Sequence, residues 1–220
     1  MNARFVLVLA LLPGLLALSG HTPASSLPSM SAAAIVDKML DKNPGLASYR
    51  VRVHVTTRML SFPFLSPTLD GTSYYKRPNK FVVVFDRVPA YAAGFSKIFN
   101  NIGDPGAWSK DNVISYAGTR VWSGRPVYVL KVAPRQYSDI LAYAHAIVDP
   151  ATWELVEMTW HYRNGGTISM RQWYRREHGY DVLAEQSAEI NFRVRASSHA
   201  TYGAYQLNVP IPDTVFTGAK

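Results

Sequence analysis

Three arrangements in this sequence use residue types that do chemistry in other proteins. Ala93-Gly94-Phe95-Ser96-Lys97 comes nearest to a nucleophile elbow. It lacks the second glycine of G-x-S-x-G, which lets the backbone turn sharply beneath an exposed serine hydroxyl. His54, His145, His161, His178 and His199 are scattered, with neither His-x-His nor His-Glu-x-x-His, so no pair has the close spacing typical of a metal site. Glu157 and Glu177 are candidates for an acid/base pair. Strand alternation instead sets Glu157 across from Trp173 with Arg171 and Arg175 diagonal to it, the charge pairing of a solvated sheet face. These spacings argue for no enzyme, no metal ligand and no cofactor. A fourth feature is the cluster of Lys76, Arg77 and Lys80 in "YYKRPNKFVVVF", residues 74–85. A polyanion site, a membrane-facing tip and a solvated turn share this composition, and the surrounding elements have to choose among them.

The elements that position these residues can be read from periodicity. In "SAAAIVDKMLDKNPG", Ile35, Met39 and Leu40 fall at helical spacing and the helix stops at Asn43-Pro44. "YRVRVHVTTR" alternates strictly: Tyr49, Val51, Val53 and Val55 share a buried face, while Arg50, Arg52, His54, Thr56 and Arg58 share a wet one. Turn signals then recur at Pro78-Asn79, Gly124-Arg125-Pro126, Asp149-Pro150 and Asn164-Gly165-Gly166, which predicts an antiparallel sheet built as a meander of hairpins. In the hairpin over 155–175, a three-residue loop at Asn164–Gly166 sorts the side chains best. Val156, Met158, Trp160 and Tyr162 then join Ile168, Met170, Gln172 and Tyr174 on one face, and Glu157, Thr159, His161, Ser169, Arg171 and Arg175 take the other, with Trp173 the exception. Phe81, Val83 and Phe85 on one parity, with Val82 and Val84 on the other, read as a central strand covered on both faces. Tyr91, Phe95, Ile98, Phe99 and Ile102 form an amphipathic helical stripe over 89–102, which is either a fixed cap on the sheet or a movable lid.

The chain has 220 residues, 48% of them hydrophobic and 17% charged, which suits one domain with a substantial core. Arg4 precedes the apolar run Phe5 to Ser19, and Ala17 and Ser19 offer a small-residue cleavage site. Pro13 and Gly14 interrupt this run, which falls short of the roughly 20 residues that a membrane span needs. Residues 1–19 therefore read as a cleaved signal peptide, 20–30 as a Ser/Pro-rich spacer and 31–220 as a single exported, soluble domain. Without the leader, which carries Arg4, the net charge falls from +8 to +7 and meets anionic lipid head groups rather than nucleic acid. With no cysteine, the chain has neither disulfides nor a lipid-modified N-terminus, and packing alone must hold the domain together.

Several segments resemble the periplasmic lipoprotein carriers of the LolA family. "GTSYYKRPNKFVVVF" (71–85) is similar to that family's strand-turn-strand with its K-R-P-N motif. "GRPVYVLKVAP" (124–134) and "AIVDPATWELVEMTWHYRNGG" (146–166) resemble its central strands, and "YGAYQLNVPIPDTVF" (202–216) resembles its C-terminal strand with the closing N-x-x-I-P-D-x-x-F segment. The likeness covers nearly all of 31–216, and its two sharp motifs are K-R-P-N and the closing segment. One departure is that the amphipathic stretch follows Phe85 almost at once, where the carriers interpose further strands.

The resemblance implies a mainly β fold with a few helices (α+β): a curved, unclosed antiparallel half-barrel whose concave face is covered by helices. It implies a monomeric carrier, not an enzyme, that binds the acyl chains of a lipoprotein or lipid in an apolar cavity. An inner-membrane transporter would be its partner. A sensor on the same fold, binding a peptide or a regulatory membrane-protein domain, is the alternative. Val51, Val53, Phe81, Val83, Phe85, Tyr91, Phe95, Phe99, Val156, Met158, Trp160, Ile168 and Met170 are then the cavity candidates. Arg77 matches the arginine that holds the family's empty cavity closed, by bonding carbonyls at the end of a helix over 89–102. Lys76 and Lys80 are expected to be solvated flanks of the turn.

Overall fold

A computed structural model of the chain describes residues 27–78, 80–88, 108, 110–192 and 194–217. The signal peptide and most of the spacer, the stripe over 89–102 with Tyr91, Phe95 and Phe99, and Asn79 of K-R-P-N lie outside the described residues.

The first element is helix α1 (Ala32–Leu40), capped by Ser31, whose side chain accepts from the Ala34 amide at 3.1 Å. Ten strands follow: β1 (Ser48–Met59), β2 (Thr68–Lys76), β3 (Lys80–Phe85), β4 (Asn112–Trp122), β5 (Arg125–Pro134), β6 (Leu141–Val148), β7 (Leu155–Tyr162), β8 (Thr167–Glu177), β9 (Tyr180–Asn191) and β10 (Arg195–Leu207). A single helical turn, α2 (Thr214–Thr217), packs against β3. The strands form one antiparallel sheet in the order β3-β2-β1-β10-β9-β8-β7-β6-β5-β4. Every neighbouring pair is a hairpin except β1 with β10, which joins the two ends of the chain. Because β3 and β4 do not meet, the sheet is an unclosed half-barrel. Bulges interrupt the register at Val51/Val53, Tyr116/Gly118, Leu141/Tyr143, Ile147/Val148 and Trp173/Tyr174, and such bulges bend strands and increase their twist.

The strict alternation of β1 appears as read: Val51, Val53 and Val55 are buried, and Arg50, Arg52, His54, Thr56 and Arg58 are exposed. The buried face is continuous across the sheet. One cluster packs Val51, Val53, Val83 and Tyr205, a second packs Met59, Ile168, Ile190 and Ala196, and a third packs Met158, Met170, Leu130 and Ala146. Ile35, Val36 and Met39 of α1 lie on the third cluster. Their burial contributes about 5 kcal/mol, which anchors a helix too short to be stable alone.

Three sequence expectations change. The three-residue hairpin loop exists, but it is Arg163–Gly165, with Tyr162 closing onto the Gly166 carbonyl at 2.9 Å. The slide by one residue seats Gly165 at φ +82°, where a side chain is disfavoured. It preserves the parity of the faces but moves each partner by two, so Met158 pairs with Met170 rather than Gln172, and Trp160 with Ile168 rather than Met170. Second, β3 is an edge strand, not a central one: Val84 is 39% exposed, although Val82 on the same parity is buried. A run of apolar residues reports burial but not the number of hydrogen-bonded neighbours. Third, the bulge that pairs Val148 with Leu155 turns Val156 to the opposite face, where it packs on Val127 and Ile147. Leu155 takes the place on the α1 side instead.

Ser73, in the middle of β2, is fully buried and its hydroxyl has no hydrogen-bond partner among the described residues. Ser73→Ala removes that desolvated group, and a gain of about 1 kcal/mol is expected as a higher urea midpoint with an unchanged slope.

Candidate functional site

Past the C-terminus of α1, the turn Asp41 to Gly45 leans over a cavity of about 180 Å³ in the buried face of the half-barrel. Met39, Leu40, Lys42 and Asn43 form its roof. Tyr49, Tyr202 and Tyr205 of β1 and β10 meet Gln172, Tyr174 and Gln186 of β8 and β9 on its floor, while Arg77 and Phe81 stand at the β2–β3 side. Tyr49 packs edge-on against Tyr205 at 5.1 Å and stacks on Tyr75 at 5.3 Å, so the floor is aromatic as well as polar.

Two polar links fasten the roof. The Asn43 side chain donates to the Asp181 carbonyl at 2.8 Å and accepts from the Asp181 amide at 3.0 Å, which docks the turn on β9 as one more strand residue would. The Asn43 carbonyl in turn accepts from Arg77 Nη2 at 2.9 Å. Among the described residues, Arg77 thus reaches a carbonyl just past the end of α1; the stripe over 89–102, to which its bond was expected, lies outside them. Gly45 at φ +82° lets the chain turn from this roof into β1.

Beneath the roof, Lys42 Nζ lies 2.8 Å from Glu154 Oε1, with 9% and 17% of the two side chains exposed. The same ammonium sits 4.0 Å from the Tyr174 ring centre. Burial lowers the Lys42 pKa from its usual value, and the hydrogen bond and charge of Glu154 oppose that shift only in part. The Tyr174 hydroxyl lies 2.9 Å from Gln172 Oε1 and 3.1 Å from the Leu155 carbonyl oxygen, and burial holds its pKa far above the usual phenol range. Gln172 Nε2 donates to Gln186 Oε1 at 3.4 Å. Tyr205 donates to the Leu183 carbonyl at 2.8 Å.

The expected site residues divide among several places. Arg77 and Phe81 line the cavity. Val51, Val53, Val83 and Phe85 belong to the apolar cluster beside it, Met158 and Met170 lie under α1, and Ile168 with Trp160 packs at the far end near Met59. Val156 is on the opposite face, while Tyr91, Phe95 and Phe99 fall outside the described residues. Lys42, Asn43, Glu154, Gln186 and Tyr202 were not anticipated. Gln172 and Gln186 did leave a trace, because each is a polar residue on a strand parity that is otherwise apolar.

The basic cluster is not simply solvated. Lys76 and Lys80 reach Asp213 at 2.7 and 2.9 Å, and Lys76 also donates to the Ile211 carbonyl at 3.1 Å. These bonds from the two lysines lower the Asp213 pKa to about 2. The two sharp sequence motifs, K-R-P-N and N-x-x-I-P-D-x-x-F, are therefore parts of one contact. Asn208 extends it by accepting from the Ala47 amide at 2.7 Å, and Ile211 is buried.

The carboxylates considered for acid/base work are occupied. Burial acts to raise the Glu157 pKa, but bonds from Trp122, Arg171 and Arg120 outweigh it and hold the group ionised. Its direct partner across the sheet is Arg171 rather than Trp173. Glu177 is likewise held below its usual value against burial, by the Tyr205 amide and Arg175. Among the described residues, no group of three or more His, Asp or Glu side chains could hold a metal ion, and no helix is long and apolar enough to cross a membrane.

No protein-family model matches the sequence, and no curated protein matches it. Solved structures do match the fold. A domain from Vibrio parahaemolyticus named for outer membrane lipoprotein sorting aligns at a TM-score of 0.67 with 10% identity, over 85% of this chain and 96% of that one. A DUF1329 family protein from Desulfovibrio piger aligns at 0.65 with 12% identity, over 86% and 98%. A LolA superfamily protein from Nitrosomonas europaea aligns at 0.63 with 13% identity, over 86% and 98%. Ten antiparallel strands in one unclosed sheet, matched along nearly the whole of these neighbours, give this chain a LolA-like fold.

Proposed function

We propose that this chain is an exported, periplasmic carrier that shields acyl chains of a lipoprotein or lipid beneath α1 as they pass between membranes. The observation that supports this reading best is the bond from Arg77 to the Asn43 carbonyl, which runs from the β2–β3 turn to the roof of the cavity. A single charge-assisted bond at an exposed position is strong enough to bias a roof toward closure and weak enough to exchange for ligand. Burial of a chain is worth about 0.8 kcal/mol per CH₂, so even a partly enclosed chain offsets opening the roof. The leader-like residues 1–19 and the net charge of +8 fit work beside anionic membranes.

The carrier reading is tested by purifying the mature chain, extracting it with organic solvent and analysing the extract by mass spectrometry, with uptake of a fluorescent acyl probe in parallel. Near-stoichiometric lipid or saturable probe binding is expected; repeated absence of both overturns the reading. Arg77→Leu is expected to change the unfolding midpoint little and to alter probe release about fivefold, the effect of losing roughly 1 kcal/mol from the closed state. Unchanged association and release kinetics would remove Arg77 from the mechanism.

A further inference from the structure

The floor of the cavity holds polar groups that a purely hydrocarbon ligand would leave without partners. Tyr202 is 8% exposed and lines the cavity, yet its hydroxyl makes no hydrogen bond among the described residues. Gln186 is 5% exposed; its Oε1 accepts from Gln172, and its Nε2 has no partner among the described residues. Ala200 pairs with Gln186, which places Tyr202 on the same face and diagonally adjacent to it. Neither group is one of the sealed, unsatisfied atoms among the described residues, which are Ser73 Oγ and Trp108 Nε1, and both side chains line the cavity. Buried polar groups are nearly always satisfied, and two open donors facing one cavity point to a ligand that supplies acceptors.

The electrostatics narrow the class of acceptor. The site already contains a compensated pair, Lys42 with Glu154, shielded from water. A carboxylate or phosphate entering beside that pair would be a second anion next to Glu154 with Lys42 already compensated, while the other cation of the lining, Arg77, stands exposed at the β2–β3 side and is bonded to the roof, so the buried floor disfavours it. A neutral carbonyl bonds the same donors without that cost. The volume fits one such junction: an apolar cavity of about 150 Å³ takes a single benzene, so 180 Å³ takes a polar group and the first few carbons of one chain.

We propose that Gln186 and Tyr202 form a recognition site for the neutral acyl carbonyl of an ester or amide, and that the Lys42–Glu154 pair discriminates against free fatty acid. This inference rests on the carrier reading and specifies what its cavity selects. The test uses the full mature chain and displacement of a fluorescent acyl probe at pH 7 by three competitors of equal chain length: a monoacylglycerol, the fatty acid and the alkane. The ester is expected to compete about tenfold better than either of the others. Tyr202→Phe and Gln186→Leu are each expected to weaken the ester roughly fivefold while leaving the alkane unchanged or improved. Tyr202→Phe deletes only a hydroxyl that bonds nothing among the described residues, and its unfolding midpoint serves as the check on folding. Equal competition by ester and alkane, or tighter binding of the fatty acid, overturns the inference while the carrier reading stands. Failure of the probe itself to bind overturns both.

Discussion

Glu154→Gln is expected to destabilise the protein by about 3 kcal/mol, read as a lower urea midpoint at pH 7, because it leaves the Lys42 ammonium buried without a counter-charge. The cost is one of stranding a charge, so the double variant Lys42→Met/Glu154→Leu is expected to recover most of it. A double variant as unstable as the single one would show that the pair is not the source. The pH dependence has a definite sign. The folded-state pKa of Lys42 lies below its usual 10.5, so the unfolded chain binds the proton more tightly. The penalty is full below the folded pKa and is relieved as pH rises from there to 10.5. Without Glu154 the factors that partly restore the Lys42 pKa disappear, and this window extends to lower pH. The gap between wild type and Glu154→Gln therefore narrows under alkaline conditions. The same variant reverses the proposed ligand preference: an anionic amphiphile now finds an unpaired cation, and oleate is expected to raise the unfolding temperature of Glu154→Gln more than that of the wild type.

Gly71→Val is expected to cost about 3 kcal/mol by a different route. A Cβ at Gly71 would stand 2.7 Å from the Val84 carbonyl oxygen, 2.9 Å from Phe85 Cδ1 and 3.0 Å from Phe85 Cα. Two of these atoms are backbone, so the strands themselves must move apart. Gly71 pairs with Phe85 in the β2–β3 ladder, and among the described residues β3 has no strand on its other side. Damage should therefore be confined to the edge: amide exchange is expected to accelerate along β3 while β7 to β9 keep their protection. The loss also loosens the hairpin whose turn carries Arg77, so acyl-probe release is expected to quicken, as is expected for Arg77→Leu. Gly203→Ala is the control. There a Cβ meets only Arg52 O at 3.7 Å and Arg52 Cβ at 3.8 Å, and a change within about 0.5 kcal/mol is expected. Comparable losses at the two positions would refute the steric account.

Much of the fold was legible because its signals are local. Alternation in β1 and the face partition of the β7–β8 hairpin follow from a period of two and from turn chemistry, which act over a few residues. The hairpin loop was located one residue late, since Asn164-Gly165-Gly166 offers two glycines and only the ladder shows which of them takes the positive φ. The candidate site was legible at Arg77 and Phe81 and obscure elsewhere. Lys42 and Glu154 are 112 residues apart, and Asn43 and Asp181 are 138 apart. Each looks like an ordinary surface polar residue until distant strands bring the two together. Val156 shows the limit of counting by twos, because one bulge opposite Val148 exchanges its face with that of Leu155.

By itself the sequence determined the antiparallel β class, the presence of α1 (though it ends at Leu40, before the Asn43-Pro44 stop signal), the wet and dry faces of β1, and the two motifs that carry the family resemblance. The tertiary structure decided that those motifs touch through Asp213, that β3 lies at an edge, and that the buried face holds a cavity lined by amides and phenols as well as apolar groups. The division has a physical cause. Backbone preference and side-chain period are set by near neighbours along the chain, whereas strand order, bulge position and the partner of a buried charge are set by which remote segments lower the free energy together.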